Sequence, residues 1–165
     1  MADRPETDAA TLAGTVGQRA EAHYKGGLCC SEALFLAATE GFGTGPAPPE
    51  RAALAAGLCG GMGNRQATCG VFTGGAVAVG FLVGKTSLQD RDKTVRTLVA
   101  RFQERLEREA GAHVCRDLLD RFGPVGNLNK RLCRKLTRRG AEILTDLLLE
   151  NGVKPREPGS QGSRY

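Results

Sequence analysis

Two long stretches of this chain repeat their apolar residues at intervals of three and four, and no apolar run alternates with period two between turn signals. Val95, Leu98, Val99, Phe102 and Leu106 mark the first stretch, about 88–110. Leu132, Leu136, Ile143, Leu144, Leu147 and Leu148 mark the second, about 129–150, with a break expected near Gly140. Such spacing lines one face of an α-helix, whereas a half-buried strand needs strict alternation. The pattern therefore predicts an all-α fold without a sheet.

The remaining segments read as shorter helices separated by glycine. Residues 10–25 run to Gly26-Gly27, a pair that stops helices because glycine takes the left-handed cap conformation cheaply. Ser31–Glu40 forms a second helix, broken by Gly41 and Gly43. Pro49-Glu50 opens a third that reaches Leu58. Thr68 is the expected N-cap of an apolar, glycine-rich helix, Cys69–Val83, whose all-round hydrophobicity marks it as the buried centre. A short helix after Gly111 carries His113, Cys115, Leu118 and Leu119 and ends before Gly123-Pro124. The expectation is a single-domain bundle of six to seven helices over 10–153, with disordered ends at 1–9 and 154–165, where Pro, Gly, Ser and charge replace apolar residues.

Length fits one domain: 165 residues bury a real core but do not divide comfortably in two. The start, MADRPETDAATLAG, has neither a basic nor an apolar leader region, so a cytoplasmic setting is expected. The apolar segment Cys69–Gly84 holds five glycines in 16 residues, short of the roughly 20 apolar residues a membrane span requires. Of the net charge of +5, Lys85–Arg139 carries 15 basic and 7 acidic residues, a local +8. Without interleaved aromatics this reads as a solvated basic face, and nucleic acid is disfavoured as a partner.

Six cysteines, Cys29, Cys30, Cys59, Cys69, Cys115 and Cys133, carry the chemistry. In a reducing compartment their number favours metal or redox use over structural disulfides. Cys29, Cys30 and Cys69 fall at expected helix starts, where unpaired N–H groups and the macrodipole favour a thiolate. Between Cys59 and Cys69, Gly60, Gly61 and Gly63 allow the backbone to approach an inorganic or anionic group closely, and Gly70 follows. No Gly-Lys-Ser/Thr follows, which excludes a P-loop, and no CxxC occurs, which argues against zinc ribbons and thioredoxin-like motifs. Cys115 and Cys133 flank the turn FGPVGNLN, so a helical hairpin would bring them together, with Lys130, Arg131, Arg134, Lys135, Arg138 and Arg139 as a basic side that stabilises thiolates. His113 is a candidate extra ligand, but a capping or solvent-facing role fits it better.

The segments CSEALFLA (30–37), GGMGNRQATCGVFTGG (60–75), the CRDLL beginning at Cys115, and Cys133 together resemble the redox-active family named for its cysteine pattern, C, GCAxxG, C, C. The resemblance spans about 20–135. It implies a site on Cys30, Cys69, Cys115 and Cys133, with Cys29 and Cys59 as additional ligands, resolving thiols or packing residues. A related domain in split-Soret type cytochromes is thought to hold an iron–sulfur centre, so the resemblance implies electron transfer or cluster binding with a redox partner. The chain departs from a literal GCAxxG: Thr68 precedes the cysteine, and Gly70-Val71-Phe72-Thr73 separates it from Gly74. Three uses of these thiols remain open on sequence: an iron–sulfur cluster, metal-free thiol–disulfide exchange, or a soft ion such as zinc or copper(I). A homodimer sharing the site is equally open.

Overall fold

The Gly26-Gly27 pair ends the first helix. Gly27 takes φ +108°, and the N–H groups of Gly26, Gly27 and Leu28 close on the carbonyls of Ala22, Tyr24 and His23 at 2.9, 3.2 and 3.1 Å. These bonds satisfy acceptors that a helix terminus leaves open. The helix, α1, is Pro5–Lys25, and so takes in residues 5–9 of the stretch expected to be disordered. The computed structural model describes residues 5–43, 47–84 and 93–156. Residues 1–4 and 157–165 of the expected tails, and the helix start expected at Leu88, lie outside the described residues.

Among the described residues the chain forms seven α-helices and no strand, an all-α bundle as the apolar spacing predicts. After α1 come α2 (Cys30–Phe42), α3 (Pro49–Ala53), α4 (Gly70–Val83), α5 (Lys93–Ala110), α6 (Cys115–Gly126) and α7 (Arg131–Glu150). Short 3-10 turns lie at Ala56–Leu58 and Leu128–Lys130. The helix expected over Pro49–Leu58 is thus two pieces. Leu54 and Ala55 N–H bond the carbonyls three residues back, at 3.2 and 2.9 Å, which tightens the turn and ends the α-helix. In α6 the helical geometry breaks at Gly123, where φ is +65° and ψ 169°, so Pro124 interrupts no intact turn. α7 starts two residues later than expected because Asn129 and Lys130 are left-handed, with φ +53° and +56°. It runs through Gly140 without the expected break; a side chain there would collide with Val71.

α2 and α4 share the centre. Nine of the thirteen residues of α2 are buried, and no residue of α4 is exposed, as its apolarity predicts. The two helices cross so closely that a Cβ on Gly74 would stand 2.6 Å from the Ser31 carbonyl oxygen. That approach sets the start of α2 beside the start of α4. Around this pair α1 and α7 contribute Val16, Ala20, Ile143, Leu144, Leu147 and Leu148. On the far side α5 presents Leu98, Phe102 and Leu106, the expected face, all buried. Each fully buried aliphatic or aromatic side chain contributes about 1.5–3 kcal/mol.

The basic run of α7 is less free than its charge suggests. Arg134 and Arg138 lie 3.2 and 3.3 Å from Glu21, and Arg139 lies 2.7 Å from Glu109 and 3.3 Å from Glu142. No described helix is long and apolar enough to cross a membrane.

Candidate functional site

Each of the four free cysteines sits in the first turn of a different helix. Cys30 is the first residue of α2, Cys69 the N-cap of α4, Cys115 the first residue of α6 and Cys133 the third residue of α7. The sequence reading placed Cys29, Cys30 and Cys69 at helix starts, and thus two of these four, with Thr68 as the cap of α4. That cap is corrected: Thr68 instead forms an isolated antiparallel bridge with Val114.

The bridge is what joins the two halves of the site. Cys69 N–H donates to the His113 carbonyl at 2.8 Å, and Cys115 N–H donates to the Ala67 carbonyl at 2.7 Å. Arg116 N–H extends the pairing to Gln66 at 3.2 Å. Cys69 and Cys115 are therefore fixed side by side by backbone bonds.

The loop leading into the bridge has an uncommon conformation. Gly60, Gly61, Met62, Gly63 and Asn64 all have φ between +59° and +72°, and Gln66 has φ +57°. Left-handed geometry costs an ordinary L-residue about 1–2 kcal/mol, so glycine at three of these six positions limits the strain. Gly61 is the most constrained: a Cβ there would stand 2.7 Å from Ala67 N and 2.9 Å from Cys115 Cβ. Gly70 lets α4 approach Cys30, whose Sγ would be 2.5 Å from an added Cβ. Gly60 lines the cavity and bonds Cys30 through its N–H. An added Cβ on Gly63 would meet no neighbour within 4 Å.

All six cysteines line one cavity of about 640 Å³. The structure thus brings together every cysteine that the sequence singled out. Cys29 and Cys59 are joined as a disulfide, with Cα atoms 5.8 Å apart. This pairing was not expected, because the two residues are 30 apart and neither spacing nor composition links them.

The free thiols are electrostatically unequal. A hydrogen bond from Cys69, with the N–H groups of Gly60, Ser31 and Cys30, brings the Cys30 thiol down to about 7 despite its burial. Cys69, which donates that bond and is itself buried, is pushed well above its ordinary range. The pair therefore gives up its first proton from Cys30, while Cys69 keeps its own. Burial raises Cys115, and the negative charge of Cys30 and Cys133 adds to the effect. Burial also raises Cys133, against hydrogen bonds from Asn127 and Tyr24 and the charge of Lys130.

Asn127 and Tyr24 are site residues that sequence reading missed. Asn127 Oδ1 accepts the Leu132 and Cys133 N–H groups at 3.0 and 3.1 Å, while its Nδ2 donates to Cys133 Sγ at 3.2 Å. One side chain therefore caps α7 and holds its sulfur. An asparagine in the turn FGPVGNLN was the available signal. Tyr24, at the end of α1, lines the cavity, and burial and then the four thiols push its hydroxyl upward. His113 does not line the cavity: its Nδ1 is 2.7 Å from Glu107. Of the basic residues of α7 and its approach, Lys130 and Arg134 line the cavity.

The chain belongs to the family described as "Putative redox-active protein (C_GCAxxG_C_C)", whose model matches residues 28–147. No curated protein and no solved structure matches it.

Proposed function

We propose that this redox-family protein carries an iron–sulfur cluster on Cys30, Cys69, Cys115 and Cys133 and exchanges electrons with a redox protein. The observation that carries the reading is the convergence of four free thiols, each in the first turn of its own helix, on one cavity. Helix N-termini favour negative charge, and four of them suit several thiolates rather than a single nucleophile.

The donor set fits such a group. Four soft sulfurs are the ligands iron–sulfur clusters take. Among the described residues Cys29, Glu32 and Cys59 form the trio whose ligand atoms are mutually within 4.8 Å, so no three of the four free thiols crowd that closely, although Cys30 and Cys69 are hydrogen-bonded. A cluster held there would supply one-electron chemistry at a potential set by its surroundings.

The residues have distinct tasks. Cys30 is ready as a thiolate near neutral pH. Gly60 N–H and Asn127 Nδ2 donate to sulfur, while Gly61 in the loop and Gly70 at the start of α4 leave the room that lets the backbone approach Cys115 and Cys30. Val71, Leu118 and Phe122 form an apolar wall that lowers the local dielectric and strengthens those bonds. A reducing compartment such as the cytoplasm keeps the four thiols available. Anaerobic purification followed by an ultraviolet–visible spectrum with iron and acid-labile sulfide assays tests the reading. Bound iron and sulfide that disappear in Cys69→Ser and Cys115→Ser support it; colourless protein without iron or sulfide overturns it.

A second reading, metal-free thiol–disulfide exchange, is favoured by the Cys30–Cys69 hydrogen bond and the lowered Cys30 thiol. It expects a reversible Cys30–Cys69 link after mild oxidation, read by peptide mass mapping. Zinc or copper(I) on the same thiolates would be revealed by elemental analysis.

A further inference from the structure

The Cys29–Cys59 disulfide stands outside the four family cysteines and has a carboxylate against it. Glu32 Oε2 accepts the Cys29 N–H at 2.9 Å and lies 3.7 Å from Cys59 Sγ. The ligand atoms of Cys29, Glu32 and Cys59 are all within 4.8 Å of one another. Ser31 Oγ, buried and donating to the Ala55 carbonyl at 2.9 Å, lies 3.1 Å from Cys29 Sγ and 3.6 Å from Cys59 Sγ. Both cysteines line the cavity and neither is fully buried, which gives a small ion and a reductant a route to the pair.

From this juxtaposition we infer that the reduced Cys29–Cys59 pair and Glu32 form a second metal site, taking one zinc-like divalent ion. The inference does not rest on what the four free thiols hold. Two thiolates and a carboxylate make a three-ligand set for a tetrahedral ion of this class, with the fourth position left to water from the cavity. On such an ion two sulfurs at about 2.3 Å from the metal sit about 3.8 Å apart. Side-chain rotation accommodates that spacing while the Cα atoms stay 5.8 Å apart. Glu32 needs no recruitment, because the N-terminus of α2 already holds it.

The chemistry balances. A dithiol reductant breaks the Cys29–Cys59 bond, delivering two electrons and two protons and leaving as its own disulfide. The ion then displaces both thiol protons to solvent. An oxidant of the disulfide class re-forms the Cys29–Cys59 bond, is itself reduced to two thiols, and expels the ion. Metal occupancy is thereby gated by the redox state of one cysteine pair.

The test uses the full chain and cobalt(II) alone, whose visible bands report tetrahedral sulfur ligation. Protein reduced with a phosphine and freed of it is titrated anaerobically beside protein that keeps the disulfide. The four other thiols are present in both, so their binding cancels. The expected result is one additional cobalt equivalent in the reduced form, lost in Cys59→Ser. Glu32→Gln keeps the bond to Cys29 N–H, since glutamine also serves at this capping position, and is expected to weaken the additional binding. Equal stoichiometry in the two redox forms, or unchanged affinity in Glu32→Gln, overturns the assignment. Should Cys59→Ser not fold, alkylation of the reduced wild type decides: cobalt must slow labelling of Cys29 and Cys59, and equal labelling with and without it refutes the site. Failure of the four-thiol reading would look different, as iron-free protein in which the additional equivalent persists.

Discussion

The body of the bundle and its cysteine end are built by different forces. In the body, Leu98, Phe102 and Leu106 of α5 and Leu144, Leu147 and Leu148 of α7 are held by burial, which is non-directional and follows the helical period. At the cysteine end, positions are set by single directional bonds: Cys69 N–H to His113, Cys115 N–H to Ala67, and Asn127 to Cys133. The body should therefore lose stability when altered, while the cysteine end should lose geometry and thiol chemistry first.

The largest expected effect lies in the body. Phe102→Ala removes a ring that is 1% exposed and packs beside Phe72, and should cost about 3–5 kcal/mol. Chemical denaturation would measure it, and a loss below 1 kcal/mol would break the contrast. Gly61→Ala should cost at least about 1–2 kcal/mol, the penalty of left-handed geometry, because its Cβ also meets Ala67 and Cys115. Its distinguishing sign is normal far-ultraviolet helicity together with a changed rate of Cys115 alkylation.

Removing the donor to Cys30 sharpens the comparison at the point where the two regions meet, because Cys69 is itself buried. In metal-free reduced protein, Cys30 alkylation should rise with pH through about 7, against about 8.5 for an ordinary cysteine. Cys69→Ala should move that midpoint upward. The linked stability has a definite sign. A thiol lowered in the fold contributes fully above about pH 8.5, and the contribution is lost as pH falls through about 7. A midpoint unchanged in Cys69→Ala would refute the thiol–thiolate pair. The smallest effect is expected for Asn127→Ala, about 1 kcal/mol for the lost cap of α7. Its Cys133 thiol should also titrate higher, because Asn127 no longer donates to it.

The amino-acid sequence by itself determined the helices, the glycine stop at Gly26-Gly27, the buried face of α5 and the set of cysteines worth following. These are local properties: period and cap chemistry are written within a few residues of where they act. Boundaries slipped where tertiary bonds competed, as at Thr68, which exchanged an N-cap role for the bridge to Val114, and at Asn129-Lys130, where left-handed residues delayed α7. Only the tertiary structure decided that Cys115 and Cys133 also open helices, that all six cysteines face one cavity, and that Cys29 pairs with Cys59. Each depends on contacts between segments far apart in the chain, made by one or two backbone or sulfur groups that leave no periodic trace in the sequence.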